Sequence, residues 1–338
     1  MTGQLDVIRD GHLGIIALNR PEAINALSLE MIDGITRALE QWRDDDGIRA
    51  VLFEGRGQRG FCSGGDVRAV RQAVIDGQPG GGDAFFAAEY AMNGLIARYH
   101  KPTVALVHGI VMGGGIGIAG HCTFRFATTE ARFAMPEAAI GFFCDVGVNF
   151  ILAKAPLHRA LAFAMSGVPV GVADALTLGL TDCPIDPSRI DAVRAGIAAA
   201  ADGPRVEAGL AALMQAEMVP TSDAVWCAAA DRYARVDWGD VGEIMRVVGA
   251  DAQFAPLQER SPTSLVAIAA SHRAARGMAD IADVLALDLR LARHLSRMPD
   301  FAEGVRAVLV DKDQRPQWQP RRLEEVDRAT IAAIVAAA

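Results

Sequence analysis

Two acidic residues, Glu137 and Asp145, lie in a stretch of sequence that is otherwise free of charge. The stretch, FAMPEAAIGFFCDVG, covers residues 133–147. Carboxyl groups surrounded by Ala, Ile and Phe are expected to have raised pKa values, which suits them to general acid/base or nucleophilic catalysis. A structural role is the alternative: Glu137 caps the segment after Pro136, and Asp145 caps a helix over residues 146–152.

Two glycine-rich loops each follow a predicted buried strand. The first contains Gly64-Gly65, and the second contains Gly113-Gly114-Gly115. Ligands bind where strands end in an α/β core, and residues without a Cβ let a ligand approach the backbone N–H groups closely. Two such N–H groups that converge on one oxygen form an oxyanion hole. The alternative is that these glycines only permit tight turns and close helix packing.

A literal dinucleotide-binding fingerprint, Gly55-x-Gly57-x-x-Gly60, precedes the first of these loops, and a second match begins at Gly115. A working fingerprint must open a helix whose N-terminus holds the pyrophosphate. Here the sequence FCSGG follows Gly60, and it is too rich in glycine to propagate a helix. The next predicted helix ends at Gly77, with no strand ending in an acid after it. We therefore predict that the chain does not bind NAD.

The elements that position these loops follow an α/β pattern. Asp10-Gly11 joins two predicted strands as a hairpin, Ser28 caps a helix, and buried strands are predicted at residues 50–54 and 104–108. The segment QPGGG at residues 78–82 is predicted to be a flexible break. Strand signals end near residue 190, after which helical periodicities follow one another. The prediction is an α/β core over residues 1–195 and a helical region over residues 196–338.

Composition excludes several classes of protein. The net charge of -8 provides no basic surface for nucleic acid. Five scattered cysteines without a C-x-x-C pair indicate reduced thiols, no metal site and a cytoplasmic location, and no signal peptide is evident. Residues 102–124 carry no charge and have membrane length, but glycines interrupt them. They are predicted to form a buried strand, a glycine turn and a buried helix rather than a membrane span.

Taken together, the motifs resemble the crotonase (enoyl-CoA hydratase/isomerase) superfamily, and most closely its 3-hydroxyisobutyryl-CoA hydrolase branch. The resemblance runs nearly end to end, and the late motifs are the most specific to the branch. It implies a crotonase-like ββα spiral core, and it assigns the glycine loops to coenzyme A and a thioester carbonyl. The matching stretches are LNRPEAINALS, GRGQRGFCSGGDVRAV, EYAMN, KPTVALVHGIVMGGGIG, FAMPEAAIGFFCDVG, SPTSL and FAEGVRAVLVDKDQRPQW.

The resemblance also implies a role for individual residues. The oxyanion donors fall on the backbone N–H groups of Gly65 and Gly114. The catalytic carboxylate falls on Glu137, with Asp145 as the second acid of the hydrolase pattern. The residues expected to bind coenzyme A are Ser63, Gly64, Asp66, Arg68 and Arg20, with Arg56 as a further candidate for its phosphates.

Position 117 indicates the type of reaction. A hydratase of this superfamily carries a second glutamate two residues after the three-glycine run, where this chain has Gly117. We therefore predict a thioester hydrolase acting on 3-hydroxyisobutyryl-CoA in valine breakdown. Its alternatives are an enoyl-CoA hydratase or isomerase and a non-catalytic acyl-CoA-binding or assembly protein. No cofactor is expected beyond the coenzyme A of the substrate, no nucleic acid or membrane partner is expected, and the resemblance implies a trimer or hexamer.

One tract departs from the family pattern. The family usually reads F-P-D-V-G-G, whereas this chain has Phe143-Cys144-Asp145-Val146-Gly147-Val148-Asn149. Loss of the proline is expected to loosen the loop that carries Asp145, and Val148 and Asn149 are expected to reshape the acyl pocket. Cys144 has only apolar neighbours and no nearby histidine, so it is predicted to be a buried, inert thiol.

Overall fold

A computed structural model describes residues 3–337 of the 338-residue chain. Within that range the chain forms nine β-strands and fifteen α-helices. The strands are β1 (Leu5–Asp10), β2 (Leu13–Leu18), β3 (Ala50–Gly55), β4 (Gly60–Cys62), β5 (Thr103–Val107), β6 (Ile110–Met112), β7 (Phe124–Thr128), β8 (Arg132–Ala134) and β9 (Cys183–Ile185). The helices are α1 (Leu29–Arg43), α2 (Val67–Ile75), α3 (Pro79–Ala97), α4 (Gly114–Ala119), α5 (Val148–Leu152), α6 (Leu157–Ser166), α7 (Val172–Leu178), α8 (Ile190–Asp202), α9 (Val206–Glu217), α10 (Val225–Asp231), α11 (Val241–Val247), α12 (Pro262–Ala275), α13 (Ile281–Leu295), α14 (Pro299–Val305) and α15 (Arg328–Ala336).

The strands form two sheets. Six of them are ordered β1-β2-β3-β5-β7-β9, and the other three are ordered β4-β6-β8. In the larger sheet only β1 and β2 are antiparallel, and the predicted hairpin at Asp10-Gly11 joins them. The largely parallel pairing expected from the alternation of strands and helices is therefore confirmed.

Helix α1 begins where the sequence predicts it. The Oγ of Ser28 accepts a hydrogen bond from the backbone N–H of Met31 at 3.3 Å, which satisfies one of the free donors of the first turn. One face of the larger sheet packs against α8 and α9, where Leu52 and Leu106 meet Val193 and Leu210 in a buried apolar cluster. Burial of this continuous apolar layer stabilises the sheet that carries the glycine loops.

The uncharged stretch at residues 102–124 folds as predicted, with one additional short strand. It contains β5, β6 and the buried helix α4. The strand β4, rather than a helix, begins at Gly60 of the dinucleotide-like motif, so that motif lacks the context that pyrophosphate binding needs. No helix within residues 3–337 has the length and apolarity that crossing a membrane requires.

The prediction of a break over the QPGGG segment was wrong for residues 79–82, which are helical, while Gln78 lies in the short link between α2 and α3. Helix α3 begins at Pro79 and includes the three glycines in its first turn. Proline suits this position because the first helical N–H groups have no partner within the helix in any case. Absence of side chains lets the turn pack on α2, since a Cβ at Gly82 would lie 3.0 Å from Val70.

The C-terminal region is helical, as predicted. Beyond β9 the described chain contains no strand, and the apolar periodicity of α13 corresponds to buried Val284, Leu287 and Leu291. The chain divides into two compact units, each built from three segments. They therefore do not correspond one to one to the predicted regions 1–195 and 196–338. The first unit is Met1–Gly65, Ala91–Phe133 and Val170–Ala224, and the second is Asp66–Tyr90, Ala134–Pro169 and Val225–Ala338.

Candidate active site

The two glycine loops lie against each other in the first compact unit. Gly64 has a φ of +111°, which side chains rarely adopt, and a Cβ there would lie 3.5 Å from the carbonyl oxygen of Met112. The same Cβ would lie 3.7 Å from the backbone nitrogen of Gly114. A backbone hydrogen bond also holds the first loop, because the N–H of Leu27 donates to the Gly64 carbonyl at 2.8 Å.

The N–H groups of Gly65 and Gly114 are available to a ligand. Gly114 is the first residue of α4, so its N–H points away from the helix and has no partner within it. Within residues 3–337 neither N–H donates a hydrogen bond to a protein acceptor. The start of α4 is fixed because Gly115 packs directly on Cys62 of β4. This arrangement suits an oxyanion hole, the role predicted for these two glycines.

The predicted acids lie in the second compact unit, within one buried cluster. Glu137 opens a 3-10 turn, Glu137–Ile140, and is 7% exposed, while Asp145 is 5% exposed. The hydroxyl of Tyr90 donates to Asp145 Oδ2 at 2.6 Å. Asp145 does not cap a helix, since α5 begins later, with Gly147 at its N-cap. The capping alternative is therefore wrong for Asp145. In Glu137, the side-chain oxygen Oε2 is buried without a hydrogen-bond partner.

Burial makes both carboxyl groups unusually weak acids. Desolvation raises the pKa of Asp145 from its ordinary value of 3.8 to about 7, although the hydrogen bond from Tyr90 opposes the shift. Desolvation, and then the charge of Asp145, raise the pKa of Glu137 well above its ordinary value. Acids with raised pKa values are strong enough bases to take a proton from water near neutral pH. The expectation drawn from the apolar sequence around these residues is confirmed.

Replacement of Asp145 by Asn is expected to stabilise the protein at alkaline pH. A carboxyl whose pKa is higher in the folded state than in the unfolded state weakens folding progressively as pH rises, here between about pH 4 and 7. At pH 8 the variant should therefore gain up to about 4 kcal/mol over the parent protein, and at pH 4 the gain should fall to less than about 1 kcal/mol. Urea unfolding at both pH values measures this difference in the free energy of unfolding.

Asp231→Asn is the matched control, because its shift has the opposite sign. Hydrogen bonds from Arg159 lower the pKa of Asp231 to about 2, so its carboxylate stabilises the fold at neutral pH. This variant should be less stable than the parent at pH 8. Equal effects of the two substitutions would contradict the burial argument for Asp145.

Three members of the acidic cluster were missed by sequence reasoning. Glu89 is 2% exposed, and burial followed by the charge of Asp145 raises its pKa. Tyr90 follows it on α3, and Asp288 on α13 is fully buried. The EYAMN motif contains Glu89 and Tyr90. The sequence feature that could have identified them is a charged residue next to the apolar face of a predicted helix. No local pattern distinguishes Asp288.

Buried hydrogen bonds hold the loop that carries Asp145, although it lacks the family's proline. Asn149 Nδ2 donates to the Cys144 carbonyl at 3.2 Å. Oδ1 of Asn149 accepts from Nδ1 of His272 at 3.0 Å. Burial lowers the pKa of His272 to about 4, so this imidazole is neutral. Asn149 thus ties the loop to α12. The Cys144 thiol donates to the Ala164 carbonyl at 3.2 Å, and burial raises its pKa, as an inert thiol requires.

The two late motifs pack on the turn that begins with Glu137. The N–H of Ser261, in SPTSL, donates to the carbonyl of Ala138 at 3.2 Å. A Cβ on Gly304, in FAEGV, would overlap the backbone of Ile140, and one on Gly141 would overlap the carbonyl of Asp300. The C-terminal region therefore buttresses the turn that holds the candidate base.

Several of the residues predicted to bind coenzyme A already form hydrogen bonds or ion pairs within the protein. The Ser63 hydroxyl donates to the Ala23 carbonyl at 3.0 Å, and Arg20 donates to the Ala26 carbonyl at 3.2 Å. Arg56, the further candidate for the phosphates, is already ion-paired with Glu54 at 2.9 Å and with Asp6 at 3.3 Å.

Two other predicted residues lie at the start of α2. Arg68 is exposed in its first turn, and Asp66 is its N-cap residue. No group of three or more His, Cys, Asp or Glu side chains within residues 3–337 is arranged to hold a metal ion.

This architecture, an α/β core of two sheets with glycine loops after its strands and a helical C-terminal region, is the crotonase fold. A carnitinyl-CoA dehydratase from Mycobacterium thermoresistibile superimposes with a TM-score of 0.88 at 34% identity, over 100% of this chain and 97% of that one. An enoyl-CoA hydratase from Rhodobacter sphaeroides 2.4.1 gives 0.88 at 29% identity, over 98% and 97%.

The chain belongs to the enoyl-CoA hydratase/isomerase family, whose model matches residues 13–335. A mitochondrial 3-hydroxyisobutyryl-CoA hydrolase from Danio rerio is 34% identical over 340 residues, which cover 95% of this chain and 86% of the relative. The 3-hydroxyisobutyryl-CoA hydrolase 1 from Arabidopsis thaliana is 33% identical and covers 94% and 87%. The family predicted from the motifs is confirmed.

Proposed function

We propose that this chain is a metal-independent hydrolase of acyl-CoA thioesters, with 3-hydroxyisobutyryl-CoA as its substrate. The reaction releases 3-hydroxyisobutyrate and free coenzyme A, a step of valine breakdown. The observation that carries the proposal is end-to-end similarity to hydrolases with this name in a fish and a plant. The late motifs that pack on the Glu137 turn support it, because the hydrolase branch has them.

Thioester hydrolysis needs two chemical functions, and residues suited to each are present. The negative charge that develops on the carbonyl oxygen needs paired donors, a role that fits the N–H groups of Gly65 and Gly114. Water activation or nucleophilic attack needs a basic carboxylate, a role that fits Glu137. Two routes stay open: Glu137 takes a proton from the attacking water, or it forms an anhydride that water then opens. In both, coenzyme A leaves as a thiolate and takes up a proton.

Gly117 argues against the second candidate, an enoyl-CoA hydratase or isomerase. The position lies inside the buried helix α4 and supplies no carboxylate, so addition of water across a double bond lacks one of its two acids. The names of the two superimposed structures are what favours this candidate. Of these two activities, the residues permit only the isomerase, because an isomerase can work with a single carboxylate.

The test is a parallel assay of two substrates. The purified protein is incubated with 3-hydroxyisobutyryl-CoA and with crotonyl-CoA, while free thiol and enoyl absorbance are followed. Thiol release from the hydroxy substrate alone is expected. Loss of enoyl absorbance without thiol would instead establish the hydratase. Absence of turnover with retained coenzyme A affinity, measured by calorimetry, would favour the third candidate, a non-catalytic acyl-CoA-binding or assembly protein.

Three further features are proposed: the location, the assembly and the residues that bind coenzyme A. Cytoplasmic location rests on the reduced cysteines, whereas the Danio rerio relative is named mitochondrial. Assembly as a trimer or hexamer rests on resemblance to the superfamily. Binding of coenzyme A by Ser63, Gly64, Asp66, Arg68 and Arg20 rests on their positions in the motifs.

A further inference from the structure

Asp288 is a fully buried acid that the proposed chemistry does not use. It lies on α13, in the C-terminal region, and its Oδ2 accepts a hydrogen bond from the N–H of Gly147 at 2.8 Å. Its Oδ1 is buried without a hydrogen-bond partner. A buried carboxyl with one oxygen unsatisfied is costly to keep. Such a residue is expected to serve a purpose that an apolar side chain could not.

The backbone that Asp288 holds is strained. Val146, between Asp145 and Gly147, has a φ of 53°, a left-handed conformation that is unfavourable for a β-branched residue. Gly147 follows with a φ of 71°. A strained turn persists only where its surroundings hold it in place. The hydrogen bond from Gly147 to Asp288 is a contact that holds this turn, and the turn fixes the direction of Asp145.

The titratable groups recorded beside Asp288 are all acids. The titratable groups that face it are Asp145 and Cys144 on the turn before α5, and Tyr90 on α3. Helices α12 and α15 also pack against α13, but within residues 3–337 no cation forms an ion pair with Asp288. Burial, and then the charge of Asp145, raise the pKa of Asp288 well above its ordinary value. Ionisation of either acid therefore opposes ionisation of the other.

We propose that Asp288 is a positioning residue for the thioesterase reaction: it holds the Val146–Gly147 turn, and so the Asp145 carboxyl, in place. The inference rests on the proposed function, because it assumes that Asp145 takes part in catalysis. The helical C-terminal region would then support two turns of the site: the Glu137 turn and, through Asp288, the Val146–Gly147 turn.

Two substitutions separate the hydrogen bond from the charge. Asp288→Asn keeps an oxygen for the Gly147 N–H and removes the charge, whereas Asp288→Leu removes both. For the Leu variant we expect kcat to fall on the order of 100-fold with KM little changed, because a displaced carboxyl loses transition-state stabilisation. For the Asn variant we expect kcat near the parent value. Its pH–rate profile should match that of the parent, because the amide oxygen still accepts from the Gly147 N–H and holds the turn.

Asp280→Ala is the control, because it weakens the same helix away from the turn. Its carboxylate caps α13 by accepting from the Ala282 N–H at 2.9 Å. This variant should melt at a lower temperature than the parent, with kcat and the pH profile unchanged. If the Asp280 variant loses activity as the Leu variant does, or if the Leu variant keeps the parent kcat, Asp288 is only structural.

The remaining outcomes also decide the inference. If the Leu variant does not fold, an Asn variant whose kcat falls on the order of 100-fold overturns the proposal, because that variant keeps an oxygen for the Gly147 N–H. If the parent protein itself releases no thiol, the proposed function fails, and amide hydrogen exchange of Gly147 tests the positioning directly. Exchange should be slow in the parent and the Asn variant and fast in the Leu variant. Equal exchange in all three would show that Asp288 does not hold the turn.

Discussion

Replacement of Glu137 by Gln is expected to abolish turnover while leaving coenzyme A binding intact. Glutamine has nearly the same shape, so the buried 3-10 turn it opens should be preserved. The amide cannot take a proton from water or form an anhydride, and loss of that function typically costs on the order of 10³-fold or more in kcat. Stopped-flow measurement of thiol release and calorimetry with coenzyme A measure the two effects.

Stability provides an internal check on the Glu137 variant. Burial raises the pKa of Glu137, so its ionised form weakens the fold as pH rises through the raised value. The Gln variant should therefore be at least as stable as the parent at pH 8, which excludes unfolding as the cause of inactivity. Glu130→Gln, at an exposed position before β8, should be fully active. Retained turnover in the Glu137 variant would refute its assigned role.

Replacement of Gly141 by Ala is expected to produce the largest loss of stability. Gly141 ends the Glu137–Ile140 turn with a φ of 70°, and a Cβ there would overlap the Asp300 carbonyl. Because Asp300 is buried and its carboxylate accepts from Ser261 and Gln319, the backbone it belongs to has little freedom to move. The turn must shift instead, and Glu137 shifts with it. We expect kcat to fall together with the free energy of unfolding.

Gly77 offers a control matched in backbone conformation. Its φ is 71°, and a Cβ there would meet nothing within 4 Å. Gly77→Ala should therefore cost only the strain of a left-handed alanine, about 1 kcal/mol. Gly141→Ala should cost roughly 2 to 3 kcal/mol more, the usual effect of overpacking a buried site. Urea unfolding gives both values, and similar losses would mean that contact with the C-terminal region does not constrain the turn.

Much of the fold was predictable because its signals are local. Asp10-Gly11 supports a hairpin, Ser28 caps α1, and the apolar spacing of α13 identifies its buried face, each within a few residues. The QPGGG segment misled for the same reason. Glycine and proline disfavour the interior of a helix but are tolerated in its first turn, and sequence spacing does not show which of these positions they occupy.

The candidate site likewise has features that local sequence reveals and features that depend on tertiary contacts. The paired glycines and the two acids in an apolar stretch were evident from residue types alone, because an exposed backbone N–H and a desolvated carboxyl each depend on immediate neighbours. The partner of Asp145 was not evident, since Tyr90 lies 55 residues away, and Asp288 lies 141 residues from the Gly147 that it holds. Contacts at such separations depend on how α3 and α13 pack, and apolar periodicity shows which face of a helix is buried but not which residues that face meets. Only the folded molecule shows the buried hydrogen bonds that hold the tract without its usual proline. Asn149 donates to the Cys144 carbonyl within the tract, and His272 of α12 donates to Asn149.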